Sequence, residues 1–457
     1  MRDSRAVLLG NGLNGRDLRD ALTARYDSWL AEVFAAAAGD RPDLALVAVG
    51  GLGRREPAPY SDLDLVLLHR GRADVETVAN AVWYPVWDAR VGLDHSVRTV
   101  EQALGVAKDD LRAALGLLEL RHLAGDPALS QQLRDGAYQA WRQGSPRRLP
   151  ELRAATLARW RTAGELAFLL EPDLKEARGG LRDVHALHAL AAAQLLDPPG
   201  AAVAAARDTL LDTRGELQRR AGRALDRLVQ QEQPAVAAAA GRADADDLLR
   251  AVADAGRTIA FAADTAWRQV EAELESRRRT RLFRRSDRRG PDRRPLADGV
   301  VEQGGEVVLA RDADPWADPV LLLRAAGAAA RAGLPLAPHA LDRLATESAP
   351  VPSPWPADAR DAFVDLLGTG HRAVPVLEAL DRAGLLVRLI PEWAAVRSRP
   401  QRNPVHRFTV DRHLVEAAAE AAALTRTVAR PDLLLLGAFL HDIGKGYPGD
   451  HTEAGVV

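Results

Sequence analysis

Residues 50–64 read Gly-Gly-Leu-Gly-Arg-Arg-Glu-Pro-Ala-Pro-Tyr-Ser-Asp-Leu-Asp. Paired glycines let the backbone turn sharply and approach a ligand closely. Apolar runs lie on both sides of this stretch, at Leu44 to Val49 and at Leu63 to Leu68. Short apolar runs bounded by turn residues are typical of buried strands. The sequence therefore predicts two strands connected by a glycine turn, with Asp62 and Asp64 at the start of the second strand.

Two helices and a third strand are predicted around this pair of strands. Asp17 to Ala38 has apolar residues at helical spacing and stops at Gly39, as helices often do. Val75 to Trp87 predicts a second helix, and Leu93 to Val97 predicts a third strand. Together these elements predict a small mixed α/β unit over residues 1–145.

The rest of the chain is predominantly helical in pattern. Arg277 to Arg294 is dense in arginine and indicates an exposed linker rather than a nucleic-acid site, because Phe283 is its only aromatic residue. A hairpin is predicted where Val300-Val301 and Val307 to Leu309 flank two glycines. We therefore predict an α+β fold with five parts: residues 1–145, a helical domain at 146–280, the linker and hairpin at 281–318, a helical connector at 319–400, and a final domain at 401–457.

Composition excludes several classes of protein. Lysine and arginine number 61 against 63 acidic residues, so the net charge of −2 gives no overall attraction to nucleic acid or to anionic membranes. Cysteine is absent, which leaves histidine and carboxylate as the ligands for any metal ion. No apolar run reaches membrane-spanning length, and Met1 to Gly10 lacks the apolar stretch of a signal peptide. We expect a cytoplasmic protein without a membrane or nucleic-acid partner.

The first motif suggests phosphate chemistry. On a strand, Asp62 and Asp64 would point to the same side. Two converging carboxylates suit Mg²⁺, which leaves positions for phosphate oxygens, and paired ions would support displacement of pyrophosphate at a nucleotide α-phosphorus. The glycines would let the backbone approach a triphosphate, helped by amides of a short helix from Gly53 to Glu56. A plain turn entering a strand is the alternative, and the spacing to the glycines favours catalysis. The nucleotide-binding candidates here are Gly50, Gly51, Gly53, Arg54 and Ser61.

Further candidates lie outside this motif. Asp94, on the third strand, is the expected third carboxylate, although a surface aspartate at a strand edge is the alternative. Lys175 and Arg182 flank a Gly-Gly break and are expected to contact nucleotide phosphates, with Asp183 holding one of them in place. A purely structural hinge between the catalytic lobe and the helical layer is an equal alternative for that segment.

A second motif lies near the end of the sequence. Leu433 to Leu440 is a dense apolar run that predicts a buried helix, and His441-Asp442 follow it directly. His413 lies on the preceding amphipathic helix, so one histidine and a His-Asp pair are expected to form a divalent-metal site. His451 is a further candidate ligand or general acid. A histidine satisfied within the core is the alternative, and Gly444-Lys445 behind the pair favours the metal site.

These motifs together resemble a known family. The pattern from Gly50 to Leu65 resembles polymerase-β-type nucleotidyltransferases. The segments Trp87-Asp88, His95 to Arg98, Glu171 to Asp183, Pro391-Glu392 and Asn403 to His413 extend the resemblance to the bifunctional uridylyltransferase and uridylyl-removing enzymes, from about residue 15 to the end. His441-Asp442 resembles the HD phosphohydrolases. The family often has a glutamate where this chain has Gly92, so the third carboxylate either has moved along the strand to Asp94 or lies elsewhere.

The resemblance implies a function and its partners. It implies transfer of UMP, or of AMP as in some relatives, from UTP or ATP to the nitrogen-signalling protein PII. Mg²⁺ would serve the transferase, and a divalent metal such as Mn²⁺ or Mg²⁺ would serve the HD domain, which hydrolyses the nucleotide from PII. The sequence stops before the second aspartate of HD domains and before the family's glutamine-sensing ACT domains, so we expect a C-terminally truncated member with an incomplete HD domain.

Three other interpretations remain. A tRNA nucleotidyltransferase-like enzyme can combine the same domain types, but it would need a basic surface that the near-neutral charge disfavours. Glutamine synthetase adenylyltransferase shares the Gly-Gly-Leu-Arg-Asp pattern but has two transferase halves and lacks the His-Asp motif. A regulatory binding module with a vestigial site is disfavoured by the intact Asp62 and Asp64.

Overall fold

The computed structural model describes residues 2–39, 41–71, 74–282, 293–402 and 407–456. The chain divides into two compact units, one formed by residues 1–167 and 171–282 and the other by residues 168–170 and 283–457. The first contains a four-stranded mixed sheet and long helices, and the second contains a three-stranded sheet and short helices. The predicted α+β class is confirmed.

The first unit is built on a sheet of strand order β3-β2-β1-β4. Its strands are β1 (Leu44–Val49), β2 (Leu63–His69), β3 (Leu93–Arg98) and β4 (Arg121–Gly125). β1 runs antiparallel to both β2 and β4, and β2 runs parallel to β3. The three predicted strands are confirmed to within one residue at each end, whereas β4 was not predicted.

Alternating side chains of β1 and β2 form the core of this unit. Because successive residues of a strand point to opposite faces, Leu63, Leu65 and Leu67 share one face with Leu44 and Leu46. These leucines are almost fully buried against the helices Gly15–Ala38 and Val75–Asp88. Asp64 has the opposite parity on β2, so its side chain leaves this core.

Eleven helices belong to the described part of the first unit. The predicted helix ending at Gly39 is confirmed, and Gly39 has a φ of 61° there. The helices are α1 (Arg2–Gly10), α2 (Gly15–Ala38), α3 (Gly50–Gly53), α4 (Val75–Asp88), α5 (Val100–Asp109), α6 (Leu111–Leu118), α7 (Pro127–Ala163), α8 (Leu181–Ala192), α9 (Ala201–Ala221), α10 (Gln233–Ala239) and α11 (Ala245–Leu282).

Two local predictions about this unit were wrong. The short helix after β1 spans Gly50–Gly53 rather than Gly53 to Glu56, because the backbone turns into helix at the first glycine of the pair. Helix α11 continues to Leu282, through residues 277–282 of the predicted arginine-rich loop. Residues 283–292 of that predicted loop lie outside the described residues. Helix α7 runs through residue 145 without a break, and the five domain boundaries stay a prediction.

The second unit begins with a small antiparallel sheet. Its strands are β5 (Arg294–Ala297), β6 (Val300–Gln303) and β7 (Glu306–Leu309), and the pairing of β6 with β7 confirms the predicted hairpin. Helices follow: α12 (Leu321–Ala332), α13 (Pro338–Glu347), α14 (Ala357–Leu367), α15 (Ala373–Arg382), α16 (Leu385–Leu389), α17 (Trp393–Val396), α18 (Val410–Ala421), α19 (Pro431–Leu440) and α20 (His451–Val456).

An aromatic cluster anchors helix α19 within the second unit. Phe439 stacks on Trp393, with ring centroids 5.0 Å apart, and meets Phe363 edge to face at 5.5 Å. The prediction that this helix is buried along Leu433 to Leu440 was wrong in part, because Leu433 is 56% exposed. Only Leu435 and Phe439 of the helix are fully buried. The end that carries the His-Asp pair is therefore held firmly by Phe439.

In the part of the chain that the structure describes, no helix combines the length and the apolar character needed to cross a membrane.

Candidate active sites

A large cavity in the first unit gathers most of the predicted transferase residues. Its volume is about 1110 Å³, and it is lined on one side by the glycine turn and the carboxylates and on the other by helices α6 to α9. Pockets of this order accommodate nucleotide-sized ligands. The predicted residues that line it are Gly50, Gly51, Arg54, Ser61, Asp62, Asp64, Asp94, Lys175 and Arg182. Gly53 does not line the cavity.

Asp64 and Asp94 are neighbours across the pairing of β2 with β3. They occupy the same register position of two parallel strands, which places both side chains on the same face of the sheet. Burial, and then the charge of Asp94, raise the pKa of Asp64. A divalent cation would relieve this repulsion, so the donor set fits a hard ion held by carboxylate oxygens.

Asp62 lies outside strand β2, which begins at Leu63. Its carboxylate packs against Gly92, where an added Cβ would overlap it. The prediction that Asp62 and Asp64 both project from the strand was therefore wrong for Asp62, since Asp62 belongs to the preceding turn. Within the described residues, the three carboxylates do not form a group with all ligand atoms within 4.8 Å of one another.

The glycine turn is shaped by close contacts with the carboxylates and the sheet. Gly50 has a φ of 57°, and a Cβ there would overlap the carboxylate of Asp64. A Cβ at Gly53 would overlap the carbonyl oxygen of Glu119. Arg121 donates to the carbonyl of Leu52 at 2.8 Å, which ties the turn to β4. Gly50 thus leaves room for the Asp64 carboxylate, and Gly53 lets the turn pack closely against the Glu119 carbonyl.

Arg54 is held between two glutamates. Its Nε donates to Glu56 at 2.7 Å, and its Nη1 donates to Glu119. Burial raises the pKa of Glu56, but the interactions with His185 and Arg54 outweigh this effect. The pKa of Glu56 is therefore lowered to about 2. His185 Nε2 lies 3.5 Å from Glu56, and burial lowers the pKa of His185 to about 3. At neutral pH this cluster therefore contains a paired arginine, an ionised Glu56 and a neutral imidazole, whereas burial raises the pKa of Glu119.

Ser61 closes the turn that leads into Asp62. Its Oγ accepts a hydrogen bond from the Ala58 amide at 3.0 Å, and its own amide donates to the Ala58 carbonyl at 3.0 Å. Ser61 thus shapes the turn, and it also lines the cavity.

The segment between Lys175 and Asp183 is an ordered turn that leads into α8. Asp183 is fully buried and accepts hydrogen bonds from Trp160 Nε1 at 3.0 Å, from the Gly179 amide at 2.7 Å, and from Arg159. The expectation that Asp183 holds Lys175 or Arg182 was wrong, because Arg159 occupies it. Lys175 instead lies 3.7 Å from Asp226, and Arg182 lies 3.3 Å from Glu176.

Four arginines that line the cavity were not predicted from the sequence: Arg98, Arg112, Arg159 and Arg214. Arg98 is the last residue of β3 and Arg112 is the second residue of α6, and both line the cavity. The charge of Arg112 acts on Asp64 and lowers its pKa, against the effects of burial and Asp94. The only sequence signal was the position of Arg98 on the same strand as Asp94.

The second unit brings the predicted His-Asp residues together. His413 Nε2 lies 3.2 Å from His441 Nε2 and 3.7 Å from Asp442 Oδ2, and one ligand atom from each of the three lies within 4.8 Å of the others. The Nδ1 of His441 is 2.9 Å from the Ala438 carbonyl, which leaves Nε2 directed toward the group. Two imidazoles and a carboxylate fit a divalent transition metal.

A lysine adjoins this group. Lys445 Nζ donates to Asp442 at 2.6 Å and to Gln401 at 2.8 Å. Burial raises the pKa of Asp442, but Lys445 and the two histidines outweigh it and the pKa is lowered. The carboxylate is therefore ionised and available as a ligand. The side chain of His451 lies outside the described residues, as do Asn403 to His406 of the resemblance.

Two family models match parts of the chain. A family model described as GlnD PII-uridylyltransferase matches residues 148–272, and a model described as HD domain matches residues 410–457. Nucleotidyltransferase and HD domains generally use divalent metals.

Named relatives match nearly the whole chain. The bifunctional uridylyltransferase/uridylyl-removing enzyme of Streptomyces coelicolor is 55% identical over 99% of this chain and 55% of its own length. That of Mycobacterium tuberculosis is 49% identical over 99% of this chain and 57% of its own length. The enzyme of Corynebacterium glutamicum is 40% identical over 90% of this chain and 58% of its own length. The chain thus spans a little more than half the length of these relatives. On these matches, nearly the whole chain resembles a little more than half of the bifunctional uridylyltransferase/uridylyl-removing enzymes.

Proposed function

We propose that the first unit transfers a nucleoside monophosphate from a nucleoside triphosphate to the signalling protein PII, with UTP as the donor and ATP as the alternative. The observation that carries this proposal is the register of Asp64 with Asp94 at the rim of a nucleotide-sized cavity, beside a turn that only glycine can form. The names of the relatives favour uridylyl transfer and a protein substrate in nitrogen regulation.

In this proposal the carboxylates act together. Asp62, Asp64 and Asp94 hold Mg²⁺, which supplies charge neutralisation at the phosphates when bound. A hydroxyl oxygen of PII attacks the α-phosphorus, the bond from that phosphorus to the bridging oxygen breaks, pyrophosphate leaves and the hydroxyl proton is released. Gly50 and Gly51 give the polyphosphate access to the backbone, Gly53 lets the turn pack against Glu119, and Ser61 shapes the turn that leads into Asp62.

We assign the second unit a complementary role. His413, His441 and Asp442 would hold a divalent ion such as Mn²⁺ or Mg²⁺, with His451 as a further ligand, and water would hydrolyse the nucleotide from PII. The proposed domain boundaries place this site in residues 401–457. Glutamine sensing would require ACT domains, and a cytoplasmic location follows from the proposed substrate.

A direct experiment tests the transfer. The chain is incubated with PII, Mg²⁺ and UTP or ATP, and the mass of intact PII is measured. We expect an increase equal to one UMP residue or one AMP residue per modified site, and the increase identifies the donor. An unchanged mass with both nucleotides, for a chain that is folded by circular dichroism, would overturn the proposal.

The alternatives make different predictions in the same experiment. A tRNA nucleotidyltransferase-like enzyme would extend the 3′ end of tRNA and leave PII unmodified. A vestigial binding module would bind nucleotide without releasing pyrophosphate. Neither alternative gains support from the relatives described above.

A further inference from the structure

The cations of the first unit's cavity form two groups. Seven arginine and lysine side chains line it. Five of them pair with carboxylates: Arg54 with Glu56 and Glu119, Arg159 with Asp183, Lys175 and Arg214 with Asp226, and Arg182 with Glu176. The other two, Arg98 and Arg112, form no ion pair within 4 Å and no side-chain hydrogen bond with any residue that the structure describes.

Both unpaired arginines are held close to the catalytic carboxylates. Arg98 is the last residue of the strand that carries Asp94, and Arg112 is the second residue of α6, the helix that follows α5. Asp110, which also lines the cavity, accepts a hydrogen bond from the Ala113 amide at 3.0 Å and so caps α6. Arg98, Arg112, Asp64 and Asp94 all line the same cavity.

An unpaired guanidinium in such a cavity suits a polyphosphate. The planar guanidinium donates two parallel hydrogen bonds to phosphate oxygens, and charge-assisted bonds of this kind are among the strongest in proteins. A paired arginine would first have to give up its carboxylate partner, and this cost reduces its contribution to binding. The five paired cations are therefore poorer candidates than Arg98 and Arg112.

We propose that Arg98 and Arg112 bind the β- and γ-phosphates of the donor nucleotide and stabilise pyrophosphate as it leaves. This inference rests on the proposed nucleotidyl transfer and names the subsite for its leaving group. It replaces Lys175 and Arg182, the phosphate contacts expected from the sequence. When the bond between the α-phosphorus and the bridging oxygen breaks, its electron pair moves to that oxygen, and the two guanidinium groups face the new negative charge.

Binding of a base-free probe tests the subsite directly. Mg²⁺-tripolyphosphate, UTP and UMP are each titrated into the full chain and into Arg98→Gln, Arg112→Gln and the double variant by calorimetry. We expect each single variant to bind tripolyphosphate and UTP about tenfold or more weakly, because one charge-assisted contact is lost. The affinity for UMP, which lacks the β- and γ-phosphates, should stay unchanged. Arg147→Gln, an exposed arginine of α7 outside the cavity, is the matched control and should bind all three probes as the unaltered chain does.

The outcomes separate this inference from the proposed function. A folded double variant that binds tripolyphosphate as tightly as the unaltered chain would overturn the subsite, as would an unaltered chain that does not bind it. If the unaltered chain binds tripolyphosphate through these arginines but transfers no nucleotide to PII, the subsite stands and the proposed function fails. Arg98→Lys retains the charge without the fork, so its affinity should lie between those of the unaltered chain and Arg98→Gln.

Discussion

Asp64 lies between a buried sheet and a second carboxylate, and both raise its pKa. The ionised form that a metal ligand must adopt is therefore disfavoured in the folded chain without a cation. We predict that Asp64→Asn lowers nucleotide transfer by about a hundredfold or more, because an electrostatic contribution of this size is lost. The thermal midpoint without metal should stay equal or rise. Transfer assays and thermal unfolding in EDTA measure the two effects.

A matched control separates catalysis from general charge. Asp20→Asn removes an exposed aspartate on α2 and should change neither quantity appreciably. If Asp64→Asn kept full transfer while correctly folded, Asp64 would have no catalytic role.

Gly50 provides a second prediction at the level of single residues. Gly50→Ala places a side chain at a φ of 57° and against the Asp64 carboxylate, so it should destabilise the chain and also displace Asp64. Gly12 has a φ of 74° with no atom within 4 Å of an added Cβ, so Gly12→Ala carries only the backbone strain, about 1 kcal/mol. We expect both variants to lose stability in urea and only Gly50→Ala to lose transfer. Equal transfer by the two variants would contradict the positioning role of Gly50.

Single residues also show which parts of the candidate site can be predicted from the sequence. The placement of Gly50 and Gly51 beside Asp64 could be predicted because it follows from local spacing. Asp62 was placed wrongly on the strand, since a strand boundary depends on pairing with a distant segment. Arg112 could not be found, because it reaches the cavity through the packing of α6 and not through its distance in sequence from Asp64.

The segment before α8 is stabilised by one buried carboxylate. Asp183 connects Trp160 and Arg159 of α7 to the Gly179 amide, so it fixes the turn that carries Lys175 and the start of α8. We predict that Asp183→Asn lowers the free energy of unfolding by about 3 kcal/mol, because Arg159 loses its partner in a buried site. Hydrogen exchange at residues 174–181 should increase. Urea unfolding and exchange mass spectrometry measure these changes.

An exposed ion pair supplies the control for Asp183. Arg153 pairs with Glu271 at 3.0 Å, and the Glu271 side chain is 53% exposed. Glu271→Gln should therefore cost less than about 1 kcal/mol. Similar losses of unfolding free energy in both variants would show that the buried hydrogen bonds of Asp183 stabilise the chain no more than an exposed ion pair does.

The Glu56–His185 cluster couples the glycine turn to α8 and predicts acid sensitivity. The pKa of His185 falls from 6.5 in the unfolded chain to about 3, and that of Glu56 falls from 4.5 to about 2. At any pH between the folded and unfolded pKa values of His185 or Glu56, that group binds more protons in the unfolded chain than in the folded chain. Stability is therefore retained above the unfolded pKa and is lost as pH falls through the window, beginning near pH 6.5.

A histidine variant measures this effect. Each extra proton bound by the unfolded chain contributes a slope of about 1.4 kcal/mol per pH unit. His185→Gln should reduce the slope of the unfolding free energy between pH 6.5 and 4.5 by up to that amount. The exposed His339→Gln should leave the slope unchanged. An unaltered slope in His185→Gln would show that this imidazole is not held neutral by the fold.

Elements differed in how well the sequence predicted them. β1, β2 and α2 were predicted nearly to the residue because strong apolar patterns are bounded there by proline or glycine. β4 was missed because Arg-His-Leu-Ala-Gly lacks a clear alternation and gains its place only by pairing with β1. Helix α19 is apolar on every side, and such a pattern does not reveal that Leu433 is exposed.

At the level of the whole molecule, each of the two units contains its own group of candidate metal ligands. The first presents carboxylates beside a cavity, as Mg²⁺ prefers, and the second presents two imidazoles and one carboxylate. The units therefore differ in the metal that each ligand set favours. If the two sites act separately, the proposed transfer and removal of the nucleotide would be controlled independently. A variant in one site should then leave the activity of the other site unchanged.

Metal binding to the second unit tests this separation. We predict that His441→Ala removes one Mn²⁺ site from the calorimetric titration of the full chain, because the three ligand atoms lie within 4.8 Å of one another and the loss of one breaks the set. Transfer of nucleotide to PII by the same variant should persist, whereas release of nucleotide from modified PII should stop. His371, an exposed histidine of the same unit, lies 3.1 Å from Glu420, so His371→Ala is the matched control and should keep the site.

Lys445 already neutralises Asp442 in the metal-free chain, so Lys445→Gln should strengthen Mn²⁺ binding in the same titration. Weaker binding in that variant would show that the lysine supports the site.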